Sequence, residues 1–169
     1  MHITIGVELD RFSLFSPLDY RYLDGELRQK AEKYLSENAR IRSHARVEAA
    51  LAKGLARQGV CSQKIADEIA KAAENVSGEE VYAEEAKIRH DVRALANVLR
   101  SKVSAEARPF VHFSATSYDI VDTASAYRYR EAVHSLVLPE LKKLLKIWIE
   151  TALREKSTLQ IVRNHGEHA

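Results

Sequence analysis

Cysteine is almost missing from this sequence: Cys61 stands alone in 169 residues. One thiol closes no intrachain disulfide, so no disulfide framework holds the fold, and the chain suits a reducing cytosol. Cys61 itself reads as a small apolar filler rather than a nucleophile. Glycine (six) and proline (three) are also scarce, and Ala, Leu, Glu, Lys and Arg dominate, a helical composition. No apolar run approaches the roughly 20 residues that span a bilayer. The N-terminus, with His2 and Glu8 beside a short apolar patch, does not read as a signal peptide. Charge of one sign is lacking as well. The formal net charge is +2 with 30% charged residues, both signs are mixed, and no basic block marks a nucleic-acid face. A cytoplasmic protein with no membrane and no nucleic-acid partner is the expectation. The length allows one domain with a proper core and is short for two.

What the chain does have is helical periodicity. Residues 1–20 read as an arm: Ile3, Ile5 and Val7 alternate loosely within residues 1–15, and Ser16-Pro17 and Asp24-Gly25 mark a turn-rich segment from Ser16 to Gly25. From Glu26 to about Ala56, Leu27, Ala31, Tyr34 and Leu35 and then Ile41, Ala45, Ala49 and Ala52 recur at spacings of three and four. His44 lies there among charged neighbours and reads as a solvated or core-edge histidine. Ser62 is a fair N-cap for a helix to about Glu74. Ser77 with Glu80 three residues on reads as a capping box. The pattern that begins there runs on through Val92, Leu95, Ala96 and Leu99, which would make His90 and Asp91 surface residues of one long helix.

The longest helical pattern runs from Asp119 to about Lys156. Its stripe is Ile120, Ala124, Tyr127, His134, Leu138, Leu141, Leu145, Trp148 and Ala152, near heptad spacing, with a second apolar face at Val133, Val137, Leu144 and Ile147. A helix apolar on two faces is buried on two sides, so self-association is expected. Pro139 has no N–H and crowds the turn before it, so the helix must kink or restart there. His134 reads as a packed or interface histidine. Ahead of this helix, residues 109–124 crowd His112, Ser114, Thr116, Ser117 and Asp119 together. Such residues accept hydrogen bonds from the free N–H groups of a first turn, and the same N–H groups hold anions.

Four segments carry a resemblance. His112-Phe113-Ser114-Ala115-Thr116-Ser117-Tyr118-Asp119-Ile120-Val121-Asp122-Thr123-Ala124 resembles the Thr-Ser-x-Asp-x-x-x-Thr-Ala loop of adenylosuccinate lyases, a branch of the fumarase/aspartase superfamily. Ser16-Pro17-Leu18-Asp19-Tyr20-Arg21-Tyr22 is similar to their Ser-Pro-x-Asp-x-Arg-Tyr segment. Arg89-His90-Asp91-Val92 is similar to their second substrate-contact segment. Arg163-Asn164-His165-Gly166-Glu167-His168-Ala169 is similar to their Arg-Thr-His-Gly-Gln-His-Ala, with Asn164 for threonine and Glu167 for glutamine. The closing His-x-x-His offers only two ligands and lacks the His-Glu-x-x-His order of a zinc protease, so no metal is expected.

The resemblance implies an all-α fold, with a helical domain at 21–103 and, from 104 to 169, the first long helix of a central bundle. It implies β-elimination of adenylosuccinate to AMP and fumarate, without an organic cofactor or metal, and likewise of the succinylo-carboxamide ribotide of purine synthesis. His165 would be the proton donor, assisted by His90, which also orients the substrate. Arg21 and Tyr22 would contact the substrate phosphate, Thr116 and Ser117 a carboxylate, and His112, Arg89, Asp91 and Asn164 would line the site. The implied assembly is a homotetramer with sites shared between subunits, and the implied partner a succinyl-nucleotide. The serine base of the family lies beyond residue 169, so an incomplete chain with little activity of its own is expected. A helical scaffold module without the chemistry is the alternative reading, and a superfamily lyase with another succinyl substrate is a third.

Overall fold

The computed structural model describes residue 16, residues 25–161 and residues 163–168, the last with backbone only at 163–164 and 167–168. Helices make up nearly all of it. In chain order they are α1 (Gly25–Leu35), α2 (Glu37–Arg57), α3 (Gln63–Glu74), α4 (Gly78–Ile88), α5 (Asp91–Ser101), a 3-10 turn (Arg108–Phe110) and α6 (Ser117–Ala132). A π turn (Val133–Val137), α7 (Leu138–Glu155) and a two-residue hairpin, β1 (Arg163–Asn164) with β2 (Glu167–His168), complete the order. The protein is all-α, as its composition predicts. Its contacts divide it into two units, 1–132 and 133–169.

Serines set the helix starts. Ser36, Ser62 and Ser77 each accept an N–H from the first turn that follows, which supplies an orphan donor with its partner. The capping box at Ser77 is complete, with Glu80 returning a bond to the Ser77 N–H. What the serines do not explain is the break after α4. The apolar period continues through it, yet Arg89 turns left-handed (φ 54°, ψ 41°) and His90 caps a new helix, its Nδ1 accepting the Arg93 N–H at 3.3 Å. The expected long helix is therefore two.

In the first unit, α2 packs against α3 and α6, and α4 against α5. The core between them holds Ile41, Ile69, Val81, Leu95 and Leu99, interleaved with Ala45, Ala52, Ala66, Ala94 and Ala96. Alanine at so many facing positions lets the helix backbones approach closely. Each fully buried Leu or Ile contributes about 1.5–3 kcal/mol, so α2 is held along most of its length.

In the second unit, Pro139 sits in the first turn of α7, where a missing N–H costs nothing. It has no N–H for the Ser135 carbonyl, and the turn before it widens to π pairing. Along α7 no residue is buried: Leu141, Leu145, Trp148 and Leu153 are all exposed, and so is His134 in the π turn.

Candidate functional site

The polar residues of unit 1 are organised by α2. Glu37, Arg40, His44 and Glu48 follow one another at three or four residues and so share one face of that helix. This polar row flanks the apolar row that builds the core. At its start, Glu37 Oε1 accepts Arg40 Nε at 2.5 Å and the Tyr82 hydroxyl at 2.6 Å. Arg40 Nη1 reaches Asp91 Oδ2 at 3.7 Å, while Asp91 Oδ1 accepts the Val92 N–H at 2.7 Å. Asp91, first residue of α5, is thereby tied both to its own helix start and to α2.

His44, in the middle of the row, is only 3% exposed. Burial, with Arg40 and Arg128 nearby, lowers its pKa to about 4 against a weaker pull from Asp91 and Glu37. It is a neutral buried imidazole, so of the two readings from the sequence, solvated or core-edge, the solvated one does not hold. Arg128 comes from α6 and points a guanidinium N–H at the Leu35 carbonyl.

Two turns beyond Arg40, about 12 Å along the axis, Glu48 faces the loop before α6. Its Oε1 lies 2.6 Å from His112 Nδ1; the two side chains are 0% and 14% exposed. Burial pushes the Glu48 carboxyl above the usual range, opposed by His112 and, more weakly, Arg100. Oε2 has no partner. The loop is anchored at both ends of this contact. Arg100 donates to the Val111 carbonyl at 2.9 Å, and Val111 is buried in the core beside Ala107. Beyond His112, Asp119 in the first turn of α6 accepts the Thr116 N–H at 2.8 Å. Thr116 is exposed and Ser117 half-buried, so both hydroxyls stand at the head of a 16-residue helix with the positive end of its dipole.

Arg89 and His90 are exposed at the α4–α5 junction. His165 is exposed in unit 2, in a two-residue turn with φ of 52° at His165 and 82° at Gly166, the doubly positive pattern of tight hairpins. Asn164 pairs with Glu167 across that hairpin. Arg21 and Tyr22, with the arm, lie outside the described residues, as do the side chains of Asn164 and Glu167.

One regularity links these scattered positions. Among the described residues, four that are not glycine have positive φ: Arg89, His112, Ser114 and His165. Left-handed backbone costs a residue with a Cβ roughly 1–2 kcal/mol, and such strain clusters at functional sites. Three of the four are residues that the resemblance assigns to the site. A separate cavity of about 650 Å³ is lined by Lys33, Arg42, Arg46, Lys53, Tyr127 and Arg128 among others. None of the assigned residues lines it. Sequence reading missed Glu48 and Arg40 as partners; their spacing puts them on one face of α2 but does not say what meets that face.

The all-α chain with polar residues at its helix starts is of a kind that a lyase family shares. Residues 21–169 match the model of the family described as Lyase, and the chain belongs to it. It is 37% identical over 153 residues to the adenylosuccinate lyase of Archaeoglobus fulgidus, covering 90% of this chain and 33% of that one. It is 37% identical over 155 residues to the adenylosuccinate lyase of Methanocaldococcus jannaschii, covering 90% and 32%. The crystal structure of a fumarate lyase from a Mesorhizobium species is similar with a TM-score of 0.72 at 25% identity, over 86% of this chain and 34% of that one. The chain thus spans about a third of the length of its relatives. Among the described residues no helix is long and apolar enough to cross a membrane.

Proposed function

We propose that these residues form the N-terminal part of a cytoplasmic adenylosuccinate lyase, active as a homotetramer in purine biosynthesis. The observation that carries the reading is the left-handed backbone at Arg89, His112 and His165, strain retained at three positions that match the family's motifs. Relatives named adenylosuccinate lyase at 37% identity support the substrate. The unburied apolar residues of α7 support self-association, because a row such as Leu141, Leu145 and Trp148 is stable only when another helix covers it. On this reading residues 21–103 are the N-terminal domain and 104–169 open the central bundle.

The reaction is a β-elimination. A base takes the proton from the carbon beside a succinyl carboxylate, and the electron pair spreads into that carboxylate. The pair then forms the fumarate double bond as the C–N bond breaks, and an acid protonates the leaving nitrogen of AMP. His165 is the acid, the role its place in the Arg-x-His-Gly-x-His-Ala segment gives it, and its exposed turn leaves it open to substrate. His90 orients the substrate from the α4–α5 junction, with Arg89 and Asp91 beside it. Thr116 and Ser117 bind a carboxylate at the α6 N-terminus, where hydroxyls and the helix dipole favour the charge that develops. His112 and Asn164 line the site, and Arg21 and Tyr22 take the phosphate, a task suited to a planar guanidinium. The base is supplied from outside these residues.

Fumarate release from adenylosuccinate, assayed on the chain extended through its natural reading frame, tests the reading. A helical scaffold releases none and ignores AMP; a lyase for another succinyl substrate fails here and succeeds in a substrate panel.

A further inference from the structure

Glu48 is used by nothing in the mechanism above, yet it is a carboxylate with no exposure and one oxygen unmet. A group so placed is costly unless its neighbour makes it useful or neutral. Its neighbour is His112, held at φ 61° in the loop before α6. Glu48 Oε1 and His112 Nδ1 stand 2.6 Å apart, so one of them carries a proton between them. If that is the pair's only proton, the pair holds a full negative charge and His112 Nε2 is a bare acceptor. With one more proton the pair is neutral. Nε2 then carries N–H whether the shared proton sits on Oε1 or on Nδ1.

Burial chooses between these states. The Glu48 side chain is wholly enclosed, and Arg100, whose charge acts on it only weakly, donates hydrogen bonds to the Arg108 and Val111 carbonyls. A net negative charge there is disfavoured, and the neutral pair is the stable one. Nδ1 is taken by an enclosed carboxylate and 14% of the His112 side chain stays open, so Nε2 is the ring nitrogen left for a ligand.

We propose that Glu48 is a positioning residue that clamps His112 through Nδ1 and presents its Nε2–H as a fixed donor to an anionic oxygen of the substrate. The clamp stands on the geometry alone; the substrate's part rests on the lyase reading. Glu48 holds the ring against rotation and sets which nitrogen donates, as second partners of catalytic histidines do.

Two experiments test it. In the 169-residue chain with nitrogen-15 histidine at pH 7.5, His112 Nε2 should resonate as a protonated nitrogen. An Nε2 without its proton in the wild-type chain overturns the proposal, and this needs no variant to fold. In the extended chain, Glu48→Gln keeps a donor for Nδ1 and should leave KM for adenylosuccinate within about threefold. Glu48→Leu should raise KM about tenfold or more with a smaller change in kcat. Unchanged KM in Glu48→Leu overturns the proposal. An extended wild-type chain that ignores adenylosuccinate sinks the lyase reading instead, and the nitrogen spectrum still judges the clamp.

Discussion

Acid should weaken this fold through His44, and the size of the effect follows from its burial. The imidazole ordinarily titrates at 6.5 and here at about 4. Its folded pKa lies below its unfolded one, so the unfolded chain binds the proton first. The stability it contributes is complete above pH 6.5, falls as pH drops through the window from 6.5 to about 4, and is gone below. A shift of one unit is worth about 1.4 kcal/mol, so the loss is about 2 kcal/mol at pH 5 and about 3 kcal/mol at pH 4. Glu48 works the other way: its folded pKa is raised, so lowering pH relieves its burial and adds stability. A bare acid titration would mix the two. The clean experiment is urea unfolding at pH 7, 5 and 4 on the wild-type chain and on His44→Gln. The difference between the two proteins should shrink or reverse by about 2–3 kcal/mol across that range. Parallel curves for both proteins would refute the reasoning and show that His44 is hydrated in the folded chain.

Two further outcomes concern backbone and caps. Arg89→Gly removes the Cβ from the left-handed C-cap of α4 and should raise stability by up to about 1 kcal/mol, while KM of the extended chain rises because the guanidinium is lost; urea midpoints and kinetics read the two separately. Ser77→Ala takes away the acceptor for the Glu80 N–H and half of the capping box, so the urea midpoint should fall by the equivalent of about 1 kcal/mol.

Much of this fold is legible in the sequence. Ser62 and the Ser77–Glu80 box announce their helices, since short polar side chains at those points have few other uses. Pro139 announces a kink or restart, which the structure makes as a π turn before α7. The break at Arg89–His90 is hidden because Val92, Leu95 and Leu99 keep the helical period on its far side, and an arginine gives no warning of left-handed backbone. His90 is on the surface, as it reads, but as an N-cap rather than within one long helix. The candidate site divides similarly. Motif wording points to His90, His112, Thr116 and His165, but nothing local marks Glu48 as the partner of His112, 64 residues away. Nor do the charged neighbours of His44 reveal its burial, which comes from the helices packed against α2.

The lyase reading itself is tested most directly by fumarate. The 169-residue chain and the same chain extended through its reading frame are each given adenylosuccinate, and fumarate is followed over time. The expected result is steady release by the extended chain and little or none by the 169 residues alone. Release by neither would contradict the reading, turn attention to Asn164 and Glu167, and leave a helical scaffold as the better account.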